Sequence, residues 1–323
     1  MSLRFAHDFA SFNLPTVIPG FGSLGALPEP ATQLAIALDF RDTIRAQAVL
    51  GDSEVRLKDT LGNHEDLGTE HPVLRYLRLL LEAQGGPEVG FKITFRAPLA
   101  MSITGAVETN SAAVAIGILR ALTSPSELFS NEFCEQALSS QVPSMPAVFA
   151  ALEGGIWLSV TELGDKQLLG SSEVTDSKSG VTKLETNRQF GVTIFHPEFV
   201  LPASQMHMLL AHQNYSISAL ADLQRRSALA SAFLKTEQDL PASLWAAEHA
   251  EIIALIDQIS PGAAAMLTWL KEQGYAPSLA GFTQNIVVPG RVGGDTIAAA
   301  EAAGWQTRYC SLSGQGLKLI SVK

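Results

Sequence analysis

From Thr104 to Ser111 the chain reads Thr-Gly-Ala-Val-Glu-Thr-Asn-Ser, and beyond Glu108 it meets no charge until Arg120. A small-residue loop that opens a helix can do chemistry. The first backbone N–H groups of a helix have no intrahelical partner, and the helix dipole favours negative charge there, so phosphate oxygens are natural ligands. Thr104, Gly105, Thr109, Asn110 and Ser111 are the candidate phosphate contacts. The Ser111 hydroxyl and the Glu108 carboxylate are oxygen donors of the kind magnesium takes. The same residues also suit a plain capped helix start, with Asn110 or Ser111 as N-cap and Glu108 in solvent. Glu108 adds negative charge to the loop, and the stretch from Thr104 to Ser111 has no lysine.

Other chemistry-bearing residues are scattered. Arg225 and Arg226 could fork onto a carboxylate, or lie exposed on a helix. His196 and His212 are equally open readings. Gly-Arg-Val-Gly-Gly-Asp-Thr at 290–296 lacks the lysine and glycine spacing of a phosphate loop and reads as a turn before a helix. Cys134 and Cys310 have no histidine beside them and no metal-like spacing, which argues against a disulfide framework, a zinc site or thiol catalysis.

These residues need elements to hold them. Residues 34–50 and 54–60 alternate as strands, and Gly-Asp-Ser at 51–53 suggests a hairpin between them. Residues 71–86 carry apolar side chains at helical spacing and stop at Gly85 and Gly86; 90–98 alternates and ends at a proline. A helix follows over roughly 110–122, then one over 124–140 with Ser124 and Glu127 as a capping box. Residues 146–160 read as helix, Gly-Gly break and strand, and 164–188 as a polar crossing or a long hairpin. Beyond it come a strand (190–202), mostly helix (203–235), helices at 244–260 and 261–277, a strand within 278–290, a helix at 295–305 and one or two strands to 323. The order predicts an α+β fold rather than a strictly alternating βα array.

The 323 residues, 46% hydrophobic and 17% charged, suffice for a core and for two domains. A net charge of −10 disfavours nucleic acid and anionic membrane surfaces as partners. The first 20 residues lack the apolar run of a signal peptide, and no long apolar span occurs, so the expected location is the cytoplasm.

Five stretches, in this order, resemble the GHMP small-molecule kinases, and homoserine kinases most closely. Residues 18–40 are similar to the family's opening motif: Pro19, Gly20, Phe21, Ser23, Leu24 and Gly25 match, while Thr16 stands for its Asn and Gly22 for its Asp. Pro98, Leu99, Ser111, Ala112 and Ala113 match the ends of its glycine-rich phosphate loop; the loop between is longer and has only Gly105. In 139–160, Val148, Leu152, Gly154 and Gly155 fit, but the family's Asp-Asn pair falls on Pro146 and Ala147. In 192–211, His207 occupies the place of a substrate-binding arginine, and in 279–288 only Gly281 of the last turn survives.

The resemblance implies an N-terminal nucleotide-binding domain over 1–165 with a mixed sheet, and a C-terminal ferredoxin-like α/β sandwich over 166–323. It implies ATP and magnesium and a small hydroxylated metabolite as substrate, and a homodimer is one assembly open to the chain. Thr104, Gly105, Thr109, Asn110 and Ser111 would hold nucleotide; Ser111 and Glu108 would hold metal. Pro19, Gly20, Phe21, Ser23 and His207 would line the substrate pocket. The departures leave a second expectation open: a GHMP-type scaffold without kinase activity, binding or converting something else.

Overall fold

The computed structural model describes residues 4–19, 33–58, 64–96, 107–142, 144–161, 179–186, 189–197, 216–235, 241–280 and 284–323. Within them, the backbone of the first half is a mixed sheet built around one long strand. β1 (Arg4–Phe5) pairs with β7 (Thr123–Ser124). β2 (Phe9–Pro19) runs antiparallel to β3 (Gln33–Val49). β3 is long enough to serve two neighbours on its other edge. Its first residues pair with β8 (Ile156–Thr161), and its last, from Thr43 onward, pair with β6 (Gly90–Arg96). β8 continues to β9 (Ser179–Leu184).

The expected hairpin between β3 and β4 (Glu54–Lys58) does not form. β6 inserts between them, antiparallel to β3 and parallel to β4, and β4 pairs on its outer edge with β5 (His64–Asp66). The Ser53 hydroxyl accepts from the Phe91 N–H at 3.0 Å, so the turn at 51–53 holds the incoming β6.

Four helices cover one face: α1 (Pro72–Ala83), α2 (Val107–Leu122), α3 (Asn131–Leu138) and α4 (Met145–Glu153). α1 has an apolar stripe (Val73, Leu74, Leu77, Leu80, Leu81) and an exposed charged side. α2 is apolar on nearly all sides, and every residue from Asn110 to Leu119 is buried. Gly117 is what lets it sit so deep: a Cβ there would meet Leu317 Cδ1 at 2.5 Å and the Phe12 ring at 3.1 Å. The single helix expected over 124–140 is broken. Ser124 belongs to β7 and pairs with Arg4, so its backbone is committed to a strand bridge. A 3₁₀ turn (Ser126–Phe129) follows, and Ser130 caps α3 by accepting from the Phe133 N–H at 3.3 Å.

The second half has a four-stranded antiparallel sheet in the order β11 (Ser278–Leu279), β12 (Ile286–Pro289), β10 (Gly191–Pro197), β13 (Trp305–Ser311). Its helices are α5 (Ile217–Lys235), α6 (Ala250–Ile259), α7 (Pro261–Glu272) and α8 (Gly294–Ala302). The helix expected from 244 begins only at Ala250, after a 3₁₀ turn (Ala242–Leu244), with the His249 side chain as its cap. Likewise 278–290 holds two short strands rather than one. β10 is buried on both faces, as its unbroken run Val-Thr-Ile-Phe requires. Phe195 packs with Ile256, Leu267 and Ala300 under α6, α7 and α8. Val192 and Ile194 join Trp245, Leu234, Ile36 and Leu38 in a cluster between the two sheets.

The C-terminal strand closes the molecule. β14 (Lys318–Val322) returns to the first sheet and pairs with β2. The turn before it lies on the Gly154-Gly155 pair, both at positive φ (71° and 80°). A Cβ on Gly316 would sit 2.1 Å from the Leu152 carbonyl oxygen. Arg41 fastens the same turn by donating to Gly316 O at 2.6 Å, Ser313 Oγ at 3.0 Å and Gln315 O at 2.5 Å.

Candidate functional site

The polar residues that converge below α2 come from three elements. β2 and β3 pair regularly up to Pro15 opposite Arg41 and resume at Val17 opposite Ala37. Leu38 to Phe40 therefore face a single β2 residue, Thr16. In that interval β3 turns toward the second sheet: Leu38 bridges Leu312, and the Asp39 carboxylate accepts from the Ser311 N–H at 2.9 Å. The irregularity leaves a hollow between the sheet and α2, bordered by Leu14, Pro15, Thr16, Asp42, Ile44, Phe95, Asn110 and Val114.

Thr16 is 2% exposed and Asp42 8% exposed. Among the described residues neither Thr16 Oγ1 nor Asp42 Oδ1 has a hydrogen-bond partner. Burial pushes the Asp42 carboxyl up to about 8, because the ionised form would lose its hydration without a compensating charge. Arg41, its neighbour in sequence, is engaged with residues 313–316.

α2 is already helical at Val107, so Asn110 and Ser111 lie within the helix and are not its caps. The Ser111 side chain is fully buried and its Oγ has no partner among the described residues. Glu108 and Thr109 belong to the first turn of α2, but their side chains lie outside the described residues, as do Thr104 and Gly105. Gly20, Phe21, Ser23 and His207 also lie outside them, together with His212 and Gly281; the backbone of Pro19 ends β2 opposite Ala35.

Several other readings are settled. Arg226 is not on an exposed face: it is 1% exposed, donates to Glu248 Oε2 at 3.1 Å and to Ala247 O at 2.9 Å, and pairs with Asp222. Glu248 in turn accepts from Ser278 Oγ and the Leu279 N–H. This network joins α5 to the second sheet and leaves the guanidinium no free face for an anion. Arg225 is half exposed and pairs with Asp222. His196 is buried with Nδ1 2.6 Å from Asn285 Oδ1, so it is tied into the second sheet. Residues 290–293 do form a turn before α8. Pro146 and Ala147, where the resemblance puts an Asp-Asn pair, are buried in the first turn of α4 beneath the Ser144 cap, so this place holds no polar side chain.

Asp42 is the residue that sequence reasoning passed over. Its signal was present: on β3 it shares parity with Ile44 and Ala46, both buried, and an acid at an inward position of an alternating strand is unusual.

No family model matches the sequence, and no curated protein matches it. Solved structures do. Homoserine kinase from Cytophaga hutchinsonii superposes with a TM-score of 0.63 at 16% identity, covering 99% of this chain and 100% of that one. Phosphomevalonate kinase from Streptococcus pneumoniae, in complex with phosphomevalonate and AMPPNP, gives 0.58 at 14% identity, over 93% and 99% of the two chains. Mevalonate diphosphate decarboxylase from Staphylococcus aureus gives 0.54 at 13%, over 97% and 98%. The chain has the fold of the GHMP kinases. Identities this low carry the GHMP-kinase architecture and its order of elements, and fold alone does not confer activity. No described helix is long and apolar enough to cross a membrane.

Proposed function

We propose that this GHMP-kinase-fold chain is a phosphotransferase that uses ATP as phosphoryl donor to a hydroxyl of a small metabolite. The observation that carries the reading is the fully buried Ser111 Oγ near the start of the described part of α2, which has no partner among the described residues. Unpaired buried oxygens are costly unless something binds them. Backbone N–H groups where the chain enters α2 would face phosphate oxygens, and Ser111 with Glu108 would supply oxygen donors to magnesium. Magnesium, when bound, supplies charge neutralisation to the transferring phosphoryl group. Transfer of this kind depends mainly on positioning, so the loss of individual family residues is compatible with it. The neighbours that are kinases, one of them holding AMPPNP, support the reading.

Titration of ATP with magnesium by calorimetry tests it. Ser111→Ala should weaken binding about tenfold, the worth of one hydrogen bond to a charged group. Equal affinity in the wild type and the variant, or no binding at millimolar nucleotide, would overturn the placement. One observation favours a second reading, a GHMP-type scaffold without kinase activity: the place of the family's Asp-Asn pair is filled by buried Pro146 and Ala147. In that case nucleotide binding would be absent, or present without turnover of any hydroxylated metabolite.

A further inference from the structure

A groove of about 910 Å³ opens at the end of the first sheet where β6 begins. That volume lies within the range of clefts that take ligands. Its floor is apolar and buried: Leu74, Leu77 and Leu81 from α1, and Phe91 from β6. Leu74 and Leu81 are seven residues apart on one helix, so the floor extends about 10 Å along α1. Leu50, just past the end of β3, also lines the groove and is fully exposed.

The rest of the border is acidic. Glu70 stands before the first turn of α1, Glu82 in its last turn, Glu88 ahead of β6 and Asp52 in the turn after β3, and all four are exposed. Arg78 is the one cation among the described residues that line the groove, so the lining carries a net charge of −3. Complementary charge steers a partner and fixes its register, and an apolar floor gives it something to bury.

These features select the occupant. A second copy of the chain would bring the same acids, on a protein whose net charge is −10. Nucleic acid and anionic lipid are repelled for the same reason. A lone inorganic cation would leave the leucines uncovered. A segment with cations around a stripe of apolar side chains satisfies both parts of the lining. We propose that this groove docks a basic, amphipathic helical segment of a partner protein, its apolar side chains on Leu77, Leu81 and Leu50 and its cations toward Glu70, Glu82, Glu88 and Asp52. The surface is apart from the phosphate region. β6 runs from Gly90, in the groove, to Arg96, about 20 Å away, before the chain heads for α2.

The test is fluorescence anisotropy of the full chain, without nucleotide, against three labelled probes. One repeats Lys-Leu-Ala-Lys three times, which puts its leucines on one helical face; the second has Ser for Leu, the third Glu for Lys. The lysine–leucine probe should bind saturably and more weakly at high salt, and the other two should bind at least about tenfold less tightly. Glu82→Lys should weaken the first probe about fivefold, and Leu50→Ser about tenfold. Both side chains are exposed, so the variants keep the core intact. Glu272→Lys on α7, which does not line the groove, should leave binding unchanged. No saturable binding by about 1 mM would overturn the proposal. So would equal binding of the lysine–serine probe, which would mean diffuse attraction to an acidic protein, or affinity that survives in both groove variants. Self-association of the chain alone that Leu50→Ser abolishes would assign the groove to a second copy and overturn it too. None of these outcomes depends on whether the chain transfers phosphate.

Discussion

Replacing Asp42 by Asn should make the protein more stable, and increasingly so as pH rises. The carboxyl of Asp42 is raised by burial from an ordinary 3.8 to about 8. Below about pH 4 both the folded and unfolded chains hold the proton, and Asp42 has no effect on the balance. Above that, the unfolded chain releases a proton that the folded chain keeps. The unfolded state then binds fewer protons, so stability falls as pH rises, until the folded form also ionises near pH 8. At about 1.36 kcal/mol per pH unit, the whole window sets a ceiling of roughly 5–6 kcal/mol. Asn has nearly the same shape and does not titrate. Urea unfolding of wild type and Asp42→Asn at pH 5, 6, 7 and 8 should give a gap in ΔG that widens with pH. A gap that stays constant, or that narrows, would mean that Asp42 is hydrated in the native state and that the burial argument is wrong.

Two other perturbations probe the scaffold. His71, which caps α1 by accepting from the Val73 N–H, is lowered by burial to about 4, so it stays neutral in the fold while the unfolded chain protonates it. Stability should fall by up to about 3 kcal/mol as pH drops from near 6.5 toward 4, and His71→Asn, which can still cap, should flatten that loss in urea melts. Gly316→Ala puts a methyl group 2.1 Å from the Leu152 carbonyl oxygen; a loss of about 3 kcal/mol or more in urea unfolding is expected, because backbone lies on both sides of the contact.

Much of the fold was legible along the chain because its signals are local. The stripe of α1, the apolar run of α2, the Gly-Gly break after α4 and the alternation of β6 all depend on residues a few positions apart. The failures share a cause. Ser124 and Glu127 have the spacing of a capping box, but pairing with Arg4, far away in the chain, claims Ser124 for a strand. Arg226 reads as one more surface cation until Glu248 and Ser278 are brought to it.

By itself, then, the order of apolar periods determined an α+β chain, and spaced glycines and prolines marked where its elements stop. What only the folded chain decided is who neighbours whom. The Ser53 turn sends β4 past β3 to the far side of β6, and the 313–316 turn brings the C-terminal strand back to β2. An irregular pairing opposite Thr16 turns Asp42 from one acid among many into a buried carboxylate beneath α2. Hydrophobic pattern sets which face of a residue is buried, but the energy of a buried charge depends on the groups that the fold places around it.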